Sequence, residues 1–129
     1  MPEDLRRFFQ RYAEHYMAGD ADVVASEMYA APFLAVRDGS PIHLADREAV
    51  RDHLTGLMAA YQASGAAVAE IAGLDVMAQG DSAACVTIHW AIRSATGQIV
   101  RDLHTTYQLT GPEPWLIHSY VNHDTSPTR

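Results

Sequence analysis

Seven histidines, six tyrosines and nine basic residues, all arginine, carry most of the proton-transfer and hydrogen-bonding chemistry open to this chain. His118 is the first candidate for a general acid or base, because an imidazole titrates near neutral pH without help from its surroundings. Tyr120 and Asn122 follow it at two-residue spacing, which puts all three on one face if the stretch is a strand. Thr105 and Tyr107 repeat that spacing in the preceding alternating stretch. Trp90, Arg101 and, from an N-terminal helix, Tyr16 complete the set expected to surround a ligand. An apolar surface with a few directed hydrogen-bonding groups suits a small organic molecule. It also suits cofactor-independent acid–base chemistry, with His118 moving the proton and Tyr12, Tyr16, Tyr107 or Tyr120 as donors. Each residue has a plainer alternative: His118 as a satisfied cavity histidine, and Arg101 in a salt bridge to Asp102 or Asp124. His89 and His104 resemble half a metal site, but a stacked or interface pair fits them better without a third ligand.

Absences narrow the chemistry further. No lysine occurs, which removes Schiff-base catalysis, pyridoxal phosphate attachment and the phosphate-loop lysine. Cys85 is the one cysteine, so neither an intramolecular disulfide, a CxxC pair nor a cysteine-built zinc site can form. Neither GxGxxG nor GxSxG is present. No cofactor and no metal are therefore expected. A net charge of −7 without any basic run argues against a nucleic-acid partner. The opening Met1-Pro2-Glu3-Asp4 lacks the basic and apolar regions of a signal peptide, and no apolar run approaches the ~20 residues of a membrane span. The expectation is a soluble, cytoplasmic protein with no membrane partner.

The elements that would position these groups follow from periodicity. Residues 3–17 form a helix with Leu5, Phe8, Phe9, Tyr12, Ala13 and Tyr16 on one face. Gly19 ends it in a left-handed cap, Asp20 caps a short helix over 21–29, and Pro32 blocks its extension. A short hairpin follows, with arms at 33–36 and 42–44 around Arg37-Asp38-Gly39-Ser40. Asp46 opens a third helix to about Gln62, with Val50, Leu54, Leu57, Met58 and Tyr61 inward. The period then changes to alternation, predicting strands over 67–78, 82–94, 99–110 and 115–123. Helices followed by a four-stranded meander make an α+β fold with helices on one face of an antiparallel sheet. All 129 residues fit one domain.

The segment from Gln10-Arg11-Tyr12 to Ala18-Gly19-Asp20, and the Trp115-Leu116-Ile117 ending, resemble NTF2-like domains, a superfamily that includes SnoaL-like cyclases and ketosteroid isomerase. The resemblance implies a cone of three N-terminal helices on a curved antiparallel sheet, dimerisation through that sheet, and isomerase, cyclase or dehydratase chemistry. Aligned through Ala-Gly-Asp, Tyr12 falls at the oxyanion-donor tyrosine of ketosteroid isomerase, which makes it a second catalytic candidate beside His118. That family's general base falls at Val36, with Asp38 two residues on, and its protonated acid at Thr105. One of three parts matches, so a non-enzymatic dimerisation or accessory module with a vestigial cavity is the alternative function.

A two-residue turn at Thr96-Gly97 sets the register. Ala95 then faces Gln98, with Trp90 opposite Leu103, Ile88 opposite Thr105 and Val86 opposite Tyr107. If Thr110 faces Trp115, Tyr107 meets His118, Thr105 meets Tyr120, and Leu103 meets Asn122. These line the inner face and the ligand cavity. The reverse face carries His89 with His104, Thr87 with Thr106 and Cys85 with Gln108, joined by Trp115, Ile117, Ser119 and Val121. That face is apolar enough to be a homodimer interface. His15, His43, His53 and His123 are expected at the surface or in loops.

Overall fold

The computed structural model describes residues 2–123. Helix α1 (Pro2–Ala18) opens with Glu3 and Asp4 at the positive end of its dipole and buries Leu5, Phe8, Phe9, Tyr12 and Ala13. Gly19 stops it with φ at +80°, a conformation that favours glycine. Helix α2 (Ala21–Val23) is one turn long and widens into a π-type turn over Val24–Met28. The Asp20 side chain does not cap it; that carboxylate instead meets His15 Nδ1 at 2.9 Å. Helix α3 (Arg47–Ala63) is capped as expected, with Asp46 accepting from the Ala49 N–H at 2.9 Å.

Six strands form one sheet, two more than the expected meander: β1 (Tyr29–Arg37), β2 (Ser40–Leu44), β3 (Ala66–Ala78), β4 (Ala83–Ser94), β5 (Ile99–Thr110) and β6 (Leu116–His123). The order is β2-β1-β6-β5-β4-β3, so the early hairpin joins the meander through β6. That β1–β6 pairing is parallel, the others antiparallel. The fold class is as expected: α+β, three helices on a curved sheet. Phe9, Leu54, Met28 and Ile117 are almost fully enclosed between the layers. Among the described residues no helix is long and apolar enough to cross a membrane.

The inner ladder of β4 and β5 holds: Trp90 faces Leu103, Ile88 faces Thr105, and Val86 faces Tyr107. The turn that set it differs. Ser94, not Ala95, bonds Gln98, closing a three-residue loop, and a bulge between Ile92 and Arg93 restores the expected register beyond it. Between β5 and β6 the expectation fails by two residues. Thr110 faces Leu116 instead of Trp115, which shifts the ladder by one residue. A bulge that inserts His118 between the Gln108–Ser119 and Leu109–Ile117 pairs shifts it by one more, so Tyr107 faces Tyr120 and Thr105 faces Asn122. Below that bulge the faces exchange, as the two-residue side-chain period requires. Ile117 therefore turns into the core, and Trp115 is buried with it. Neither belongs to the outer face.

Candidate functional site

All six tyrosines of the chain line one cavity between α1, α3 and the sheet. Tyr12, Tyr29, Tyr107 and Tyr120 are buried, while Tyr16 and Tyr61 are half-buried at its edge. Trp90, Leu103, Thr105, Asn122 and Arg37 complete the polar and apolar wall, and the free volume is about 50 Å³. Most drug-sized ligands occupy roughly 300–1,000 Å³. This cavity is well below that range and has room for a small molecule only, unless Tyr16 or Tyr61 swings aside.

The interior polar groups are tied into short chains. Trp90 Nε1–H donates to Tyr107 Oη at 2.9 Å, and the Tyr12 and Tyr29 hydroxyls share a hydrogen bond of 2.9 Å. Asn122 lines the cavity; Thr105 Oγ1 donates to its Oδ1 at 2.9 Å, and its amide hydrogens have no protein acceptor among the described residues. Burial pushes the Tyr12, Tyr16, Tyr29, Tyr107 and Tyr120 phenols above their usual range. Their protons therefore stay in place at physiological pH, and they act as neutral donors and acceptors.

The group best placed to move a proton is His53, on α3. Its Nε2 lies 2.7 Å from Tyr120 Oη, and Arg37 Nη1 reaches the same oxygen at a weak 3.5 Å. Partial burial, and then the Arg37 charge, lower the His53 pKa. A neutral imidazole is thus linked to the cavity through one phenol. The expectation that His53 is a surface residue is corrected by this contact. His118 is not in the cavity: the shifted register turns it outward, where Nε2 meets Thr110 Oγ1 at 2.7 Å, and it borders a shallow depression with Phe33 and His43. Arg101 borders a neighbouring depression that shares Arg37 and Tyr61 with the cavity. Asp102 does not pair with Arg101 but with His89, and Asp124 lies outside the described residues. Tyr12, Tyr16, Trp90, Thr105, Tyr107, Tyr120 and Asn122 come together as expected.

The reverse face of the same strands carries a row of imidazoles. The His89 and His104 rings stack at 4.4 Å, and His104 and His123 at 6.0 Å.

A family model described as NTF2-like protein (DUF6841) matches residues 3–125. The chain belongs to this NTF2-like family. Solved structures share its fold. An NTF2-like protein with a cystatin-like fold from Novosphingobium aromaticivorans superposes with a TM-score of 0.74 at 19% identity, over 98% of this chain and 83% of that one. Aln2 from a Streptomyces species gives 0.73 at 15% identity, over 94% and 88%. The yeast UBP3-associated protein BRE5 gives 0.72 at 16% identity, over 95% of each chain. At these identities the likeness concerns fold alone. A search of curated proteins finds no match.

Two parts of the NTF2-like cavity escaped the sequence reading. Arg37 stands beside a turn, where it looked like a loop residue. His53 had a usable signal: with Leu57 and Tyr61 it forms an i, i+4, i+8 row on α3, and Tyr61 was already assigned inward.

Proposed function

We propose that this NTF2-like protein binds a small organic molecule in the tyrosine-lined cavity, with His53 and Tyr120 as its proton-transferring pair. The observation that carries the reading is the convergence of all six tyrosines on one cavity, one of them bonded to a neutral, half-buried imidazole. Gathered around an opening, tyrosines make a wall that is apolar in body and polar at its tips. The pair can work as a relay. A proton leaving the ligand is taken by Tyr120 Oη, whose own proton passes to His53 Nε2. The resulting imidazolium stands near Arg37, so it returns the proton readily. That suits reactions that move a proton within one molecule, such as isomerisation or cyclisation, and dehydration, where the returned proton leaves with a hydroxyl group.

The test is a thermal-shift screen of small aromatic and aliphatic compounds against the wild type and Ala69→Phe. Ala69 lines the cavity, and a phenyl ring there fills it. Stabilising compounds are expected to lose their effect in the variant. No stabilising compound, or hits indifferent to Ala69→Phe, would defeat the reading. Once a reaction is found, His53→Gln is expected to lower its rate ~10²-fold or more, and His118→Ala to leave it unchanged.

A second reading makes the chain an accessory module that pairs with another copy through the outer sheet face. Val68, Met77 and Val121, each more than 40% exposed, favour it. Light scattering on wild type and Val121→Glu tests it: a dimer that the variant splits supports the reading, and a wild-type monomer at high concentration contradicts it.

A further inference from the structure

We infer that the ligand of this cavity is a small organic acid, its carboxylate received by Arg37 together with the amide of Asn122. The inference rests on the reading above that the cavity binds a small molecule.

The first ground is the charge inventory. The chain carries 16 acidic residues against nine basic ones, so carboxylates are plentiful. Arg7, Arg11, Arg51 and Arg93 each have one within 4.0 Å. Arg6, Arg37, Arg47 and Arg101 have none among the described residues, and of these Arg37 and Arg101 flank Tyr61 beside the cavity. The second ground is the lining itself. Among the described residues no Asp or Glu is part of the cavity wall, whose polar groups are phenols, an indole, a threonine, Asn122 and Arg37. The one full charge among the described residues of that wall is positive, inside a protein of net charge −7. A guanidinium removed partly from water without a counter-ion costs free energy that a bound carboxylate restores, and its planar fork matches a carboxylate better than any other common anion except phosphate.

The third ground is geometry. Arg37 and Asn122 are register partners on the parallel β1–β6 pair, and both line the cavity. Thr105 holds the Asn122 amide oxygen, so the N–H donors of that amide are left for an anion beside Arg37. Tyr120 Oη, already within reach of Arg37, connects the anion site to His53, to which its own O–H is directed. The carboxylate would thus sit at the charged edge, with the apolar part of the acid against Trp90, Leu103 and the buried phenols. The small volume limits that part to a short chain or a single ring.

The test compares each acid with its neutral isostere: benzoate with benzamide, and crotonate with crotonamide, by calorimetric titration at pH 7. Wild type is expected to bind the acids at least about tenfold more tightly than the amides, with the preference shrinking as salt is added. Arg37→Met is expected to abolish the preference, Arg37→Lys to keep part of it, and Arg101→Met to alter it little. Circular dichroism checks that the variants fold, and Arg37→Lys serves if Arg37→Met does not. Equal binding of acid and amide by the wild type, or a preference that survives Arg37→Met, overturns the acid assignment while leaving the cavity reading intact. Failure of all four probes to bind overturns the acid assignment, and the thermal-shift screen then decides the cavity reading by itself.

Discussion

The two faces of β5 are built from alternate residues of one strand, and they spend their polar groups differently. On the outer face those groups answer one another. Thr87 and Thr106 share a hydrogen bond of 2.8 Å, Thr106 also meets His123 at 3.0 Å, His89 meets Asp102 at 2.6 Å, and Gln108 donates to Gln79 at 2.6 Å. The inner face buries its phenols among aromatic rings, with Phe9 4.7 Å from Tyr107 and Tyr29 stacked 4.3 Å from Phe33. Yet it leaves a cation and an amide without anionic partners among the described residues. Polar groups that satisfy each other need no ligand; polar groups gathered around an empty volume and short of acceptors do. The contrast is the ground on which recognition is proposed for the inner row and a structural role for the outer one.

The comparison breaks first if the inner face proves tolerant. Trp90→Ala removes a buried ring and the donor to Tyr107, and should cost about 3–5 kcal/mol in denaturant unfolding. Gly111→Ala tests the turn that brings β6 back. Its new Cβ would stand 2.5 Å from Trp115 Cε3, a backbone-adjacent clash expected to cost about 1–3 kcal/mol. Outer-face changes should be milder: Thr106→Val loses two side-chain hydrogen bonds at a half-buried site, for about 1 kcal/mol. If Thr106→Val matched Trp90→Ala, the division between the faces would not hold.

The smallest effect is one of slope. His53 has a lower pKa folded than the ~6.5 of an unfolded chain, so the folded state binds fewer protons in that range. Its contribution is fully present above about pH 6.5 and is lost as pH falls toward the folded value. Melting temperatures of wild type and His53→Gln should therefore converge, or cross, on acidification from pH 7 to pH 5. Parallel curves would mean that His53 does not sense Arg37 and burial.

Much of this was legible in the chain. Alternation placed β5 at Ile99–Thr110 without error, and the β4–β5 ladder followed from a glycine turn, even though the loop closes one residue earlier than expected. The β5–β6 register was not, since nothing in Gly111-Pro112-Glu113-Pro114 announces an extra residue several positions later. The turn pairs Thr110 with Leu116 instead of Trp115, which puts Ile117 into the core and His118 out of the site, and the bulge then returns Tyr120 and Asn122 to the inner face. Tyr120 and Asn122 survived as cavity residues because a shift of two preserves the face. Arg37 and His53 come to Tyr120 only when β1 pairs with β6 and α3 packs over both. Those contacts join residues 67 and 83 positions apart. Local periodicity carries no information about them.

The chain has two tryptophans, Trp90 in the cavity wall and Trp115 in the core near the β5–β6 turn. Their indole N–H signals in a proton–nitrogen NMR spectrum therefore report separately on the cavity and on the rest of the fold. Titrated with a compound from the thermal-shift screen, the Trp90 indole signal should move or broaden as its bond to Tyr107 is perturbed, while the Trp115 signal stays in place. Saturable shifts confined to the His89, His104 and His123 row, with the Trp90 signal unchanged, would contradict the assignment of the cavity as the functional site.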